Sequence, residues 1–282
     1  MKFAWPAFVV KVACTIAACG NLETRYVKIK GSETVLPIGL KLAEECARRK
    51  DLPDVSVSAG GSGVGIAALL NGNADVAMSS RAIKLEEKIK FALKNREPME
   101  IVPAYDALAV IVHPSNPLDT ITLADLKKIY QNKVSRWSEI GGPDRPIVAF
   151  NRESSSGTYE FFKQKVLDNE TFGNLESVGA NGELSEKVSD NPNAIGYVGV
   201  AYVDKNRVKV LKVYNPAVGR SIAASVDASL EGLYPLARPL YFYYLKGAPP
   251  TVTRIMDYIL SSEGQKAVRS TGYPPNPRYY RP

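Results

Sequence analysis

The chain has 282 residues, of which 45% are hydrophobic and 23% charged, values typical of a globular protein with one large or two medium domains. Its formal net charge of +7 arises from lysines and arginines that are dispersed along the sequence. This pattern argues against a nucleic-acid-binding arm, so no nucleic acid is expected as a partner, and it indicates a weak positive field that would attract small anions.

The first residues, MKFAWPAFVVKVACTIAACG, have the features of a secretory signal. A lysine precedes an apolar stretch that is too short to span a membrane, and small residues lead up to Cys19. The tetrad Ile16–Cys19 is similar to a bacterial lipobox, which predicts a signal peptide at 1–18 and a membrane anchor through a lipid on Cys19. Lys11 is unusual in such a stretch, so an ordinary signal peptide cut nearby is the alternative. Cleavage before Cys19 would leave Cys46 as the only free thiol, and no disulfide could form within the chain.

The part of the chain that follows alternates strand and helix patterns. RYVKIKGS, DVSVSAGGSG and ADVAMSS are predicted strands, and VLPIGLKLAEECARRK and VGIAALLNG are the helices predicted between them. This repetition predicts an α/β sheet with helices packed on its faces.

The remaining sequence continues the same pattern. IVPAYDALAVIVHPSNP is predicted to form buried strands, and TLADLKKIYQNKVSRWSEIGG one or two short helices with Thr122 as the N-cap. RPIVAFNRESSSGTYEFFKQKVL is predicted to run from a strand through a polar loop into a helix, and NAIGYVGVAYV, VKVLKVY and RPLYFYYLKG to be strands. The segment PTVTRIMDYILSSEGQKAVRSTG is predicted to be one terminal helix that ends at Gly272.

Four polar loops follow predicted strands and lead towards helices. They are GSET at 31–34, GGSG at 60–63, SSR at 79–81 and RESSSGT at 152–158. Ligands of open α/β sheets collect at the carboxyl ends of the strands, where such loops converge. Hydroxyls, the unpaired N–H groups of helix starts and the guanidinium of Arg152 suit an anion with tetrahedral oxygens. Ordinary helix capping explains one such loop, but four in the same position favour an oxyanion-binding site.

Several kinds of enzyme site find little support in the sequence. The single histidine, His113, lies in a proline-rich turn, and the loop around Ser62 is not a G-x-S-x-G nucleophile elbow, so a serine hydrolase is poorly supported. The Cys and His clusters of a zinc site and the loop of a P-loop nucleotidase are absent, so no metal and no cofactor are expected. GVGIAA at 63–68 fits a dinucleotide fingerprint, with Glu86 and Glu87 near the ribose-contact position, but an exported protein would need an external supply of the cofactor.

Longer phrases of the sequence resemble a known family. GSETVLP, DVAMSSR, TLADLKKIYQNKVSRWSEIGG, RESSSGTYEFF, NPNAIGYVGVAYV and YILSSEGQKAVRSTGY are similar to recurring phrases of the periplasmic phosphate-binding proteins, the substrate-binding components of bacterial phosphate ABC transporters. The resemblance implies an α/β, two-lobed periplasmic-binding-protein fold of type II, in which each lobe is a mixed sheet flanked by helices. It implies a first lobe of 25–105 plus 230–282 and a second lobe of 106–229. The strands DALAVIVH and LYFYYLKG are the candidate hinge crossings.

The resemblance also implies which residues bind phosphate between the lobes. The first lobe would contribute Ser32 and Thr34 with neighbouring backbone amides, then Ser62 and Ser80, and the second lobe Arg152 as the charged group with Ser156, Gly157 and Thr158 at a helix start. Further candidates are Glu33, Val35, Arg81 and Ser155. For Arg81, a salt bridge outside the site is an equal alternative.

The sequence departs from the family pattern at Ser80, where well-studied members carry an aspartate. That carboxylate accepts the proton that phosphate retains and sulfate lacks, and it lets those members discriminate between the two anions. A serine hydroxyl can accept a hydrogen bond but can also rotate and donate. Selectivity against sulfate would therefore need another acceptor, for which Glu33 and Asp106 are the candidates.

Together these features predict an exported, lipid-anchored and monomeric phosphate-binding protein of the periplasm or cell surface that is not an enzyme. It would close around inorganic phosphate and deliver it to an ABC-transporter permease in the inner membrane. The alternatives are a receptor for sulfate or molybdate in the same fold, a phosphate sensor or adhesin that feeds no transporter, and a weak phosphatase that uses the same anion site.

Overall fold

The structure is a computed structural model that describes residues 26–280. The predicted signal peptide at 1–18 and the predicted lipidation site Cys19 lie outside the described residues. Within residues 26–280, no helix combines the length and the apolar character needed to cross a membrane.

The described residues form a mixed β-sheet flanked by helices. The strands are β1 (Val27–Gly31), β2 (Val55–Ala59), β3 (Val76–Ser79), β4 (Pro98–Val112), β5 (Thr120–Ile121), β6 (Val148–Arg152), β7 (Glu176–Val178), β8 (Ala194–Gly199), β9 (Lys209–Asn215), β10 (Arg220–Ile222) and β11 (Ala237–Leu245). The α-helices are α1 (Leu36–Arg48), α2 (Ser62–Asn71), α3 (Leu85–Leu93), α4 (Leu123–Tyr130), α5 (Gly157–Val166), α6 (Asn181–Ser189), α7 (Val226–Leu230), α8 (Pro250–Leu260) and α9 (Ser262–Ser270). Short 3-10 helices cover Trp137–Ile140 and Val200–Tyr202.

One long strand, β4, joins two halves of the sheet, whose strand order is β2-β1-β3-β11-β4-β8-β6-β7. From Pro98 to Ala107 the strand pairs with β11, and from Leu108 to Val112 it pairs with β8. The candidate crossing DALAVIVH lies at this junction, whereas LYFYYLKG lies within the first half of the sheet, where β11 pairs with both β3 and β4. The division of the chain into two lobes at 105/106 and 229/230 stays a prediction.

Helices cover both faces of the first half of the sheet. Val76 and Met78 of β3 pack against α1, α8 and α9, whereas Ala77 between them packs against α2 and α3. Successive side chains of a strand point to opposite faces, so a strand with helices on both sides is apolar throughout. This is why ADVAMSS reads as a continuous buried strand and not as an alternating one.

An aromatic cluster fixes α5 against the second half of the sheet. The ring of Phe162 in α5 stacks on Tyr197 of β8 with 4.1 Å between centroids, and Tyr130 of α4 lies 4.6 Å from Phe162. All three side chains are buried. Because this cluster holds the helix, it also fixes the position of the serine-rich loop at the N-terminus of α5.

The prediction of one terminal helix was wrong. α8 ends at Leu260, and Ser261 has an extended backbone, with φ −68° and ψ 163°. Its hydroxyl accepts the N–H of Gly264 at 3.1 Å and so caps the start of α9. The predicted end is confirmed, because Gly272 follows α9 with a φ of +87°.

Candidate anion-binding site

The four polar loops of the sequence come together in the structure. Those after β1 and β3 and the one that starts α2 meet the loop between β6 and α5. The backbone carbonyl of Ser155 accepts the N–H of Gly63 at 3.3 Å, which ties the α5 loop to the α2 loop. The site is therefore assembled from segments of both halves of the sheet.

Three buried serine hydroxyls from three of these loops form a cluster. The hydroxyl of Ser32 donates to Ser80 Oγ at 3.1 Å, and Ser62 Oγ lies 3.3 Å from Ser80 Oγ. The backbone N–H of Ser80 also donates to Ser62 Oγ at 3.1 Å. Since each hydroxyl can donate or accept, the cluster can turn its protons towards an anionic oxygen.

The start of α5 is pressed against this serine cluster. Its N-cap Ser156 accepts the N–H of Thr158 at 3.1 Å, and the helix begins at Gly157. A β-carbon on Gly157 would lie 2.2 Å from Ser62 Oγ and 2.6 Å from Ser80 Oγ, so only glycine permits this approach. The N–H groups and the positive end of the helix dipole then favour an anion at this place.

A pair of threonines bridges the same two halves of the sheet. The Oγ1 atoms of Thr34, after β1, and Thr158, in the first turn of α5, are 2.8 Å apart. Both side chains are buried. Each hydroxyl receives a further hydrogen bond, from Asn181 Nδ2 to Thr34 at 3.3 Å and from Arg238 Nη2 to Thr158 at 2.8 Å.

Arg152 brings a buried positive charge to the end of β6, where its side chain is 2% exposed. Its Nε donates to the carbonyl of Val178 at 3.2 Å, and Nη2 donates to the carbonyl of Gly179 at 2.6 Å and to Glu33 Oε2 at 3.4 Å. Nη1 is buried and has no hydrogen-bond partner among the described residues. Burial lowers the pKa of Arg152, whereas the negative charge of Glu33 raises it. The guanidinium remains charged in either case. A buried, charged donor without an acceptor is costly, and an anionic ligand would remove that cost.

Glu33 connects the two halves of the sheet instead of facing open space. Its Oε2 accepts from the backbone N–H of Asn181 at 3.0 Å, from Asn181 Nδ2 and from Arg152. The hydroxyl of Tyr202 donates to the Glu33 carbonyl at 2.6 Å, and burial raises the pKa of Tyr202, so that hydroxyl stays protonated. Asn181 was not among the predicted site residues; the signal in the sequence was VGAN at 178–181, a further strand end that leads into a helix.

A second buried ion pair lies beside the site. Arg238 Nη2 and Nε donate to Asp106 Oδ2 at 2.8 and 3.0 Å, and Asp106 Oδ1 accepts the N–H of Val200 at 3.0 Å. Asp106 was a predicted acceptor, whereas Arg238 was not predicted, because it belongs to none of the polar loops. The one signal was a charged residue at the start of an apolar strand, RPLYFYYL.

Two of the remaining candidates, Val35 and Arg81, direct their side chains elsewhere, whereas the hydroxyl of Ser155 lies against Gly61 in the loop that starts α2. The side chain of Val35 packs in the core, and its N–H donates to the Ser32 carbonyl at 3.1 Å. Arg81 pairs with both carboxylate oxygens of Glu87 at 2.7 and 2.8 Å. The carboxylate of Glu87 is therefore bound to Arg81 and is not free to contact a ribose, as the dinucleotide fingerprint would require. The ligand roles of all the candidate residues stay predictions.

The donor groups at the site suit an oxyanion better than a cation. Hydroxyls, amides and guanidiniums surround it, and both nearby carboxylates, Glu33 and Asp106, are taken up by donors from the protein. Across residues 26–280, no three His, Cys, Asp or Glu side chains lie together in a way that could hold a metal ion.

Sequence comparisons place the chain among known binding proteins. Residues 20–263 match a PBP superfamily domain. Protein SphX of Synechococcus elongatus is 34% identical over 269 residues, which cover 91% of this chain and 79% of that protein. The phosphate-binding protein PstS of Borreliella burgdorferi is 33% identical over 266 residues, which cover 90% of this chain and 92% of that protein.

Solved structures show the same architecture. A putative phosphate ABC transporter substrate-binding protein from Clostridium perfringens, solved with bound phosphate, is 32% identical with a TM-score of 0.80 and covers 89% of this chain and 100% of its own. An ABC-type phosphate transport receptor from Vibrio cholerae is 26% identical with a TM-score of 0.71 and covers 91% of this chain and 100% of its own. The predicted α/β periplasmic-binding-protein fold is confirmed. The chain therefore belongs to the PBP superfamily, in the family that includes SphX and the PstS phosphate-binding proteins.

Proposed function

We propose that this protein captures inorganic phosphate between two lobes and delivers it to the permease of an ABC transporter. The lobes are 25–105 plus 230–282 and 106–229, and the protein binds its ligand without converting it and without a cofactor. The names of the relatives support phosphate as the ligand, since PstS proteins and the Clostridium perfringens protein are described as phosphate-binding or phosphate-bound. The donors of the site support an oxyanion independently of those names.

One observation carries the proposal. Arg152 is buried where four polar loops meet, its Nη1 has no partner among the described residues, and its one carboxylate contact, with Glu33, is 3.4 Å long and shared with Asn181. A desolvated guanidinium with spare donor capacity binds an anion strongly, because hydrogen bonds that involve a charged group are about twice as strong as neutral ones. The site is therefore arranged to receive negative charge.

The other ligand contacts come from both lobes. We assign hydroxyl or amide contacts with phosphate to Ser32, Thr34, Ser62, Ser80, Ser156, Gly157 and Thr158. The short distances from Gly157 to the serine cluster and between Thr34 and Thr158 support a site that is completed only when the lobes are together. Closure would exclude water and strengthen each of these contacts.

The place of action follows from the N-terminal sequence and the family. We propose that the protein works as a monomer outside the cytoplasmic membrane, in the periplasm or on the cell surface, held there by a lipid on Cys19. The lipobox-like tetrad Ile16–Cys19 supports the lipid anchor. Such an anchor keeps a binding protein close to its permease.

A receptor for a fully ionised oxyanion such as sulfate is the second candidate, and Ser80 is the observation that favours it. Ser80 supplies a hydroxyl where a carboxylate would reject sulfate. The carboxylates of Glu33 and Asp106 already accept two or more protein donors each. Glu33 and Asp106 are thus poorly placed to replace the aspartate that well-studied members of the family carry at the position of Ser80.

Titration calorimetry on the ligand-free protein separates the candidates. Phosphate and sulfate are each titrated at pH 6 and pH 8, because phosphate changes its protonation over this range and sulfate does not. Tight phosphate binding that excess sulfate does not displace supports the phosphate receptor. Equal binding of both anions supports the second candidate, and binding of neither would contradict both.

A further inference from the structure

The Asp106–Arg238 ion pair is built into the junction between the two halves of the sheet. Arg238 on β11 stands directly opposite Asp106 on β4 in the strand register, and the two side chains are 2% and 0% exposed. A buried ion pair stabilises a fold little more than apolar residues of the same volume would. Packing at the junction therefore does not account for the pair.

The guanidinium of Arg238 extends from Asp106 to the first turn of α5. Its Nη2 donates to Thr158 Oγ1 at 2.8 Å, and Nη1 lies 3.5 Å from the Gly157 carbonyl. Its central carbon is 5.0 Å from the ring centroid of Phe161, a cation–π contact on the same helix. Arg238 thus joins β4 and β11 to the helix start that faces the anion site.

A count of donors and acceptors shows what this contact does to the threonine pair. A hydroxyl has one proton and two lone pairs. Arg238 fills one lone pair of Thr158, and Asn181 fills one lone pair of Thr34. The 2.8 Å contact between the two hydroxyls uses one proton and one further lone pair. Whichever hydroxyl donates in that contact, the other keeps its proton for a ligand oxygen.

From this geometry we propose that Arg238, held by Asp106, is a positioning residue of the anion site, which orients the Thr158 hydroxyl so that the Thr34–Thr158 pair donates a proton to the bound oxyanion. The inference rests on the oxyanion-binding function proposed above and adds a residue to it. Asp106 balances the charge of Arg238, so Arg238 acts through orientation and not through a net positive field.

A double-mutant cycle tests whether Arg238 acts through Thr158. Arg238→Gln is made together with Asp106→Asn, because removing one partner alone would leave a buried charge unpaired. We expect this pair of substitutions to weaken phosphate binding about 10-fold in calorimetry, and by less than about 2-fold when Thr158→Val is already present, because coupled residues are not additive. A residue that only supports the fold would lower the melting temperature and give the same loss of affinity in both backgrounds.

Arg238→Lys serves as a second variant should the first unfold. Lysine keeps the charge opposite Asp106 but lacks the planar fork that contacts two acceptors at once. We expect Arg238→Lys to have the melting temperature of the wild type and a lower affinity for phosphate. Arg96→Gln is the matched control, since Arg96 donates to the carbonyl of Leu69 in α2, away from the serine cluster. The phosphate affinity of this variant should equal that of the wild type.

The outcomes separate this inference from the proposed function. Wild-type protein that binds neither phosphate nor sulfate would overturn both. Wild-type binding with unchanged affinity in the Arg238 variants would overturn only the positioning role. Equal losses in the Thr158 and Thr158→Val backgrounds would show that Arg238 does not act through Thr158.

Discussion

Two arginines flank serine-rich loops of the same site, and their surroundings differ. Arg81 follows Ser80 and donates from both terminal nitrogens to the two oxygens of Glu87, at 2.8 and 2.7 Å. Arg152 precedes the other serine run, and the one carboxylate that it contacts in the described part of the chain, Glu33, lies at 3.4 Å. Among residues 26–280, each arginine keeps one buried nitrogen without a hydrogen-bond partner, Nε in Arg81 and Nη1 in Arg152. The ion pair of Arg152 is, however, single and longer, so its charge is less fully compensated than that of Arg81.

The difference comes from the partner and not from the local motif. Glu87 lies in the first turn of α3, six residues after Arg81, so the pair forms within one short segment. Glu33 is separated from Arg152 by 119 positions and is drawn away by the N–H at the start of α6. An arginine beside serines is therefore available to a ligand only when no nearby carboxylate has formed a bidentate pair with it.

Substitution of each arginine by glutamine gives the largest expected contrast. Arg152→Gln should weaken phosphate binding at least about 100-fold, which is about 2.7 kcal/mol, because it removes a charge and hydrogen bonds worth about 1.5–3 kcal/mol each. Arg81→Gln, the matched variant, should change the affinity by less than about 3-fold, since its charge is already compensated. Calorimetry on both variants measures the two phosphate dissociation constants. A comparable loss of phosphate affinity in both would contradict the distinction between the arginines.

Gly157→Ala tests whether the two halves of the site must meet for binding. The added methyl group would lie 2.2 Å from Ser62 Oγ, so it should hold the α5 loop away from the serine cluster and weaken phosphate binding about 10- to 100-fold. Alanine suits the first turn of a helix, so the melting temperature without ligand should hardly change. Small-angle scattering should show that compaction on adding phosphate is lost.

Gly182→Ala is the matched control for that variant. Gly182 also lies in the first turn of a helix, α6, and a β-carbon there would meet nothing within 4 Å. Its phosphate affinity should equal that of the wild type. If Gly157→Ala bound phosphate equally well, the close approach of α5 to the serine cluster would not be part of the bound state.

The sequence predicted the parts of the site that lie in strand–loop–helix units. The loops that carry Ser32, Ser62 and Ser80 and the loop after Arg152 were predicted to converge because each follows an apolar strand, and the structure brings them together. The individual ligand residues were implied by the family resemblance and stay predictions. Arg238 could not be found in this way, since its position depends on the register of β11 against β4. A strand register is set by long-range packing, which the spacing of residues does not reveal.

The terminal helix shows a different kind of error. Its apolar spacing continues across Ser261, which favours a single helix, but the local sequence SSEG also contains a serine N-cap. The prediction of one helix follows from the periodicity alone, whereas the Ser261 cap separates α8 from α9 in the structure. Short polar side chains that bond to the backbone can thus end one helix and start another within one residue.

Ser80→Asp is expected to change selectivity more than affinity. Ser80 Oγ lies 3.1 Å from Ser32 Oγ and 3.3 Å from Ser62 Oγ, so a carboxylate at this place would enter the hydroxyl cluster. It can accept the proton of phosphate but would face only acceptors in sulfate, so sulfate binding should fall at least about 10-fold relative to phosphate. Ser80→Asn has the same size without the charge and should leave the phosphate-to-sulfate ratio near that of the wild type. An unchanged ratio in Ser80→Asp would mean that position 80 does not face the ligand.

The smallest expected effect concerns Glu87, the partner of Arg81. Burial alone would raise the pKa of Glu87, but hydrogen bonds from Arg81 and from the Lys84 N–H outweigh it, and the pKa lies below its ordinary value. A carboxyl group of this kind stabilises the fold above its unfolded pKa of about 4.3, and the contribution is lost as the pH falls through the folded pKa. Glu87→Gln should therefore cost about 1 kcal/mol of unfolding free energy at pH 7 and less in acid, as measured by urea titration.

The same variant sharpens the contrast between the two arginines. Glu87→Gln leaves the charge of Arg81 uncompensated, which makes Arg81 more like Arg152. If Arg81 lies outside the ligand's reach, the phosphate dissociation constant should stay within about 2-fold of the wild-type value, because a charge that does not contact the anion is largely screened. Tighter phosphate binding in Glu87→Gln would instead show that Arg81 reaches the anion once it is released. Glu87 would then set the strength of the site by competing with phosphate for that arginine.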